Sequence, residues 1–243
     1  MIETTYPSLA TDRAGTQSVG DQITGQLRSA IVHAELLPGT RLKQEELAVR
    51  YGTSRIPLRE AMRQLTAEGL IQWTSNRSAV VSFLEIDELH ELFELVRLLE
   101  SRGTLLGVPH LSDDDIAELD ELNRQVESGP TEPRSWYFTN LNFHMLPIVR
   151  SNQKHTIRMV TELRANLMRF FMIPDLYRAP NGSWYREHAA GHRKLLAAFR
   201  RRDAVEASAL VDADWAGAWD YWKPRLSGVV SNLVRPARRS RRT

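Results

Sequence analysis

Apolar residues recur at intervals of three and four over most of this chain, a period that predicts helices. Val19 to Ala34 sets Ile23, Leu27, Ala30 and Ile31 on one face and stops before Pro38-Gly39. Glu45 to Tyr51 reads as a short second helix with Leu47, Ala48 and Tyr51 turned inward, and Gly52 sits where a tight interhelical turn calls for a positive φ. Ser54 is placed to cap a third helix, and Pro57 falls in that helix's first turn, where a missing N–H breaks no intrahelical bond. Ile56, Ala61, Met62 and Leu65 are expected to face inward on it, while Arg55, Arg59 and Arg63, spaced by four, share another face. Two short β-rich runs, Ile71 to Thr74 and Ala79 to Phe83, flank Ser75-Asn76-Arg77-Ser78 as the arms of a hairpin wing. From Leu84 onward the helical period returns in six segments, near 85–107, 112–127, 133–150, 153–173, 184–201 and 203–231. The expected fold is therefore mainly α: a winged helix-turn-helix over 18–83, then an all-α antiparallel helical bundle over 84–232. Residues 1–17 read as a polar leader and 233–243 as a basic tail.

Composition narrows this picture little. The chain has 243 residues, enough for two modest cores, and a formal charge of only +2. Five arginines, Arg235, Arg238, Arg239, Arg241 and Arg242, crowd its last nine residues, where they can touch phosphates or simply solubilise the end. Cysteine is absent, which excludes disulfides, thiolate metal sites and cysteine nucleophiles and suits a reducing cytoplasm. No apolar run reaches the length of a membrane span.

Two regions carry candidate chemistry. Arg55 and Arg59, near the start of the third helix, can fork onto guanine or grip phosphate in a major groove, and Ser54 can add a phosphate bond. An arginine stripe at helical spacing is by itself a solvated face; the order of elements around it favours the groove. In the second half, Asn140 and His144 lie one turn apart in an apolar stretch, as do His188 and His192. Asp214 sits among Val211, Ala213 and Trp215, where an unpaired carboxylate is expensive to bury. Taken singly, each histidine is more often a satisfied core or surface residue than a ligand. Arg97 and Glu100, three apart, form an ordinary helical ion pair or leave Arg97 to bind an effector carboxylate. Arg164 and Arg169 either close the pocket around an anion or lie on a solvated helix face. Pro147 should kink its helix three residues after His144.

The motifs Leu37-Pro38-Gly39-Thr40-Arg41-Leu42, Glu46-Leu47-Ala48, Gly52-Thr53-Ser54-Arg55-Ile56-Pro57-Leu58-Arg59-Glu60-Ala61 and Glu68-Gly69-Leu70-Ile71 resemble the GntR family of transcription regulators. That resemblance implies DNA contacts from Arg41, Ser54, Arg55, Pro57, Arg59 and Arg77. The wing departs from the family in reading Arg77-Ser78 where an Arg-Gly pair is usual. The order Asn140-x3-His144, Ser151-Asn152, His192 and Asp214 is similar to the FCD effector domain of the FadR-like branch. Many such domains hold a divalent metal with one Asp and three His, on which small organic acids sit. Carried over by position, the ligands fall on Asn140, His144, His192 and Asp214, a set suited to zinc, nickel, manganese or iron. Arg97, His188 and Arg164 are the effector-binding candidates, and His188, one turn before His192, can instead replace a missing ligand or orient one. The resemblance implies a ligand-responsive homodimer on a palindromic double-stranded operator. Two rivals stay open: a metal-free regulator sensing a larger acyl ligand, and a helical-bundle metalloenzyme, disfavoured because no His follows a Glu by three and no His-Glu-x-x-His occurs.

Overall fold

The computed structural model describes residues 18–74, 78–129, 133–173, 176 and 182–239. Two buried clusters organise them. The smaller is built from α1 (Val19–Val32), α2 (Gln44–Arg50), α3 (Arg55–Ala67) and a three-stranded sheet. Ser18 starts α1 with a reciprocal capping box to Asp21, which satisfies two of the donors that a helix start leaves over. The sheet order is β1 (Arg41–Leu42), β3 (Ala79–Val81), β2 (Ile71–Trp73), both pairings antiparallel. Thr74 N–H donates to Ser78 O at 2.7 Å across the hairpin. β1 has no sequence signature, because two residues cannot show a period; Arg41 pairs with Val80 and Leu42 with Ala79.

The larger cluster fills a bundle of α4 (Ile86–Gly107), α5 (Asp113–Glu127), α6 (Pro133–Arg150), α7 (Lys154–Phe171), α8 (Gly182–Arg200) and α9 (Ala204–Arg239), with a 3-10 turn at Val108–His110. α4 packs along α9 on one side and against α6 and α7 on the other. The helices fall where the period places them, with one difference. α9 continues to Arg239, past the expected end of the bundle at 232, so Arg235, Arg238 and Arg239 extend a helix. α6 stays helical through Pro147 to Arg150. At that point α4 approaches very closely: a Cβ on Gly107 would lie 1.7 Å from Pro147 O, so only glycine fits. Residues 1–17, Arg77 and 240–243 lie outside the described residues.

The two clusters meet at α7. Asn166 Nδ2 donates to Glu68 O at 3.2 Å, and Arg169 Nη1 reaches Gly69 O and Leu70 O, each at 3.5 Å. Those carbonyls belong to the turn that ends α3. Gly69 has φ +73°, and Leu70 N–H returns to Leu65 O at 2.9 Å, the closing geometry of a glycine-terminated helix. Arg28 of α1 also pairs with Glu68, at 2.6 Å, so the end of α3 is held from two helices.

Candidate functional site

On α3 the inward face is Leu58, Ala61, Met62 and Leu65. Ile56, expected inward, is instead 73% exposed, because on a helix beginning at Arg55 it lies on the face opposite the buried Leu58. Arg55, Ile56, Arg59 and Arg63 are all exposed and follow one another at helical spacing. Ser54 occupies the N-cap with extended backbone but makes no capping hydrogen bond, and Pro57 sits in the first turn as expected. Arg55 pairs with Glu45 of α2 at 2.6 Å, both side chains remaining largely exposed. Arg41 donates to Ser78 Oγ at 2.5 Å, which ties the wing to β1. Arg41, Lys43, Gln44, Glu45, Arg55 and Ser78 thereby border one open groove. Lys43 and Ile56 were not among the sequence candidates; Ile56 carries a signal in hindsight, an apolar residue lying i−3 from Arg59.

Inside the bundle a partly open pocket has a polar floor and aromatic walls. α6 supplies Asn140 and His144, α8 supplies His188, α9 supplies Asp214, and α7 supplies Arg164. His192, one turn beyond His188, is buried directly behind the floor. His144, His188 and His192 each present one ring nitrogen within 4.8 Å of the others. His144 Nε2 and His192 Nε2 are 3.1 Å apart. Asp214 approaches from the open side, its Oδ2 3.8 Å from His144 Nε2 and its Oδ1 3.9 Å from His188 Nδ1. Asn140 Oδ1 accepts from His188 Nε2 at 2.7 Å, which leaves Nδ1 as the lone-pair nitrogen of that ring.

Burial pushes all three imidazoles down from the usual histidine range, His144 and His192 strongly. Arg164 and the neighbouring rings add to the effect on His144, and His188 and His144 add to it on His192, whereas Asp214 opposes it on His188. Phe143 lies flat on His192, centroids 4.0 Å apart at 8°, which keeps water from that ring. Three imidazoles kept uncharged by burial therefore bring one ring nitrogen each into the same small space, with a carboxylate beside them.

Of the sequence candidates, His144, His192 and Asp214 converge, His188 joins them as the third imidazole, and Asn140 contacts His188. Arg164 is buried and lines the cavity, but its guanidinium is engaged: Nε contacts Glu100 Oε1, Nη2 donates to Glu100 Oε2 at 2.8 Å, and the group lies 4.4 Å over the Trp215 ring. Trp215 Nε1 donates to the same Glu100 at 2.8 Å. The expected Arg97–Glu100 pair is thus corrected. Glu100 turns inward to Arg164, 64 residues away, while Arg97 pairs with Glu94 at 2.8 Å and nears Asp212 at 3.6 Å. Arg97 is not among the residues lining the cavity. Arg169 does not close the cavity either; it points from the opposite face of α7 to the end of α3 and is 0% exposed.

Comparison with known proteins agrees with this architecture. Residues 20–81 match the profile described as bacterial regulatory proteins, gntR family, and residues 91–216 match the FCD domain. The chain is 33% identical over 127 residues to the Nta operon transcriptional regulator of Aminobacter aminovorans, covering 52% of this chain and 60% of that one, less than two thirds of its length. It is 28% identical over 187 residues to the HTH-type transcriptional regulator McbR of Escherichia coli, covering 75% of this chain and 82% of McbR. The solved structure of E. coli McbR/YncC superposes with a TM-score of 0.72 at 24% identity, over 86% of this chain and 99% of that chain, a likeness of fold. With both profiles matched in order and the winged and helical folds in place, the chain belongs to the gntR family of bacterial regulatory proteins, in its branch with an FCD domain.

Proposed function

We propose that the protein is a transcription regulator whose α3 enters the major groove of double-stranded DNA and whose bundle cavity senses a small organic acid at a bound divalent metal. The observation that carries the first half is the outward face of α3: Arg55, Ile56, Arg59 and Arg63 are exposed on one helix, beside Arg41 and Lys43 and next to the wing. An α-helix fits the major groove, arginine forks onto guanine or phosphate, and an apolar side chain meets the thymine methyl. Arg41 and Ser54 would contact phosphates, and Arg77 is the wing's candidate for the minor groove or backbone. One such helix reads few base pairs, so a homodimer on a palindromic operator in the cytoplasm is the economical arrangement.

The metal reading is supported by the donor set. Two nitrogens on one tetrahedral ion at about 2.0–2.1 Å lie about 3.4 Å apart, close to the 3.1 Å between His144 and His192. His144, His188 and His192 would hold the ion, with Asp214 at its open side; the imidazoles are kept neutral by burial, as ligation requires. Asn140 would fix the His188 ring through its hydrogen bond. His192 Nδ1 has no hydrogen-bond partner among the described residues, so that ring is held by Phe143 instead. Such a site suits zinc, nickel, manganese or iron. When bound, the ion supplies an open coordination position for a carboxylate.

Coupling to DNA would run through α7. Arg164, Phe171 and Met172 line the cavity, and Asn166 and Arg169 of the same helix hold the end of α3. An effector with different affinities for two arrangements of α7 shifts their populations and with them the presentation of α3.

The test is to select DNA fragments with the purified protein, measure their affinity by fluorescence anisotropy, and repeat with metal-stripped protein and with added acids. Sequence-selective binding with stoichiometric metal and acid-dependent release or tightening is expected. No selection of fragments above background would overturn the DNA half. No stoichiometric metal, with no chelator effect on stability, would overturn the metal half in favour of a metal-free regulator.

A further inference from the structure

Aromatic residues make up 8% of the chain but eight of the fifteen residues that line the bundle cavity. Four of the chain's six tryptophans are among them: Trp136, Trp184, Trp215 and Trp222. Their distribution is uneven. Trp215 serves the polar floor, donating to Glu100, whereas Trp136, Trp184, Tyr185 and Trp222 form a continuous wall that adjoins the floor at His188. Trp136 and Trp184 are 5.2 Å apart between centroids, Trp136 and Tyr185 5.1 Å, and Trp184 and Trp222 5.7 Å. Trp184 also lies parallel to His188, 5.0 Å away at 12°, so the wall begins where the polar floor ends. Trp184 and Tyr185 are only half-buried in this otherwise closed bundle.

Charge constrains the other end of the ligand. Arg164 is the only cationic side chain among the described lining residues, and Glu100 neutralises it. Asp214 contributes one negative charge. A divalent ion on the three neutral histidines therefore leaves a single positive charge uncompensated, enough for one carboxylate and not for two or three. A polycarboxylate would also have to bury its remaining charges against indole and phenol rings, which is unfavourable without partners.

We infer that the effector of this cavity is an aromatic monocarboxylic acid, its carboxylate at the metal-binding floor and its ring stacked on the wall of Trp136, Trp184, Tyr185 and Trp222. This rests on the reading of the cavity as an acid-sensing metal site and adds the class of acid. Offset and edge-to-face contacts with several rings favour a flat aromatic body over an aliphatic chain of the same charge by about tenfold.

The experiment is calorimetric titration of the zinc-loaded full-length protein with phenylacetate, 2-naphthoate, hexanoate, citrate and phenethylamine, with tryptophan fluorescence followed in parallel. Phenylacetate or 2-naphthoate should bind at least tenfold more tightly than hexanoate and citrate, quench the tryptophan emission, and lose affinity when the protein is stripped with EDTA. Trp184→Leu should collapse the ratio of aromatic to aliphatic affinity toward one; Tyr185→Leu, at a half-buried position, supplies the same reading if the first variant does not fold. Hexanoate or citrate binding as tightly as the aromatic acids overturns the aromatic class and leaves acid sensing standing. Tighter binding of phenethylamine overturns the carboxylate, since the wall and Asp214 would then form a cation site. Failure of every acid and of the amine overturns both the inference and the acid-sensing reading.

Discussion

The outward face of α3 and the floor of the bundle cavity are both rich in ionisable groups, yet they are built on opposite principles. Arg55, Arg59 and Arg63 keep their hydration, and the one ion pair among them, Arg55 with Glu45, is surface-exposed and weak. Nothing in the core depends on them. In the cavity, Glu100, Arg164, Asn140, His188, His144 and His192 are satisfied largely by one another, inside a bundle that excludes water. Removing a group there strands a partner. The outward face of α3 can therefore vary without disturbing the fold, whereas a change in the lining of the cavity disturbs packing and hydrogen bonding together.

The sharpest way to break this contrast is Glu100→Ala. It leaves Arg164 buried without its carboxylate and takes the acceptor from Trp215, so denaturant unfolding should lose about 3–5 kcal/mol. A loss under 1 kcal/mol would mean that water reaches the pair. Next is Gly107→Ala, which forces α4 away from the Pro147 carbonyl; about 3 kcal/mol of destabilisation is expected in the same measurement, from overpacking. At the other end, Arg59→Ala should weaken binding to a selected DNA fragment by about 1–3 kcal/mol while moving unfolding stability by no more than about 0.5 kcal/mol. Equal losses in affinity and stability would erase the distinction between the two regions.

Between the regions lies Arg169, whose Nε and Nη2 have no hydrogen-bond partner among the described residues. Burial lowers its pKa to about 10, so it remains a cation at neutral pH. Arg169→Met should be neutral or stabilising by about 1 kcal/mol, yet should blunt the effect of an effector on DNA affinity. Undiminished coupling would remove Arg169 from the connection. The smallest effect concerns Asp115, which the Arg150 guanidinium chiefly, with help from Ser112, lowers from 3.8 to about 2. A carboxyl with a depressed folded pKa contributes stability that is complete above about 4 and lost as pH falls toward about 2. Asp115→Asn should flatten the acid limb of the unfolding curve in that window, which a pH series of melts would show.

Much of this was legible in the chain. Helical period, Gly52, Gly69 and the Pro57 position placed the winged domain, and the i, i+4 pairs Asn140/His144 and His188/His192 each put two polar side chains on one helix face. Asp214 stood out as a carboxylate among apolar neighbours. What stayed hidden is long-range or fine-grained. Arg97 and Arg164 are both arginines on amphipathic helices, and nothing local tells Glu100 to choose the one 64 residues away. Ile56 looked inward because it is apolar, but its angular position on the first turn outweighs its hydrophobicity. β1 exists only because β3 offers it a partner.

The glycine that ends α3 lies at the point where α7 holds that helix, and Leu58, Ala61, Met62 and Leu65 lock the helix into the smaller cluster, so a tilt about this point carries α3 and its cluster together as one body. Thirteen helical residues span about 20 Å. A tilt of about 10° at such an anchored hinge displaces the distant tip by about 3.4 Å, the rise of one base pair. An ångström-scale adjustment around a small acid would in this way be magnified into a shift of reading frame on the duplex.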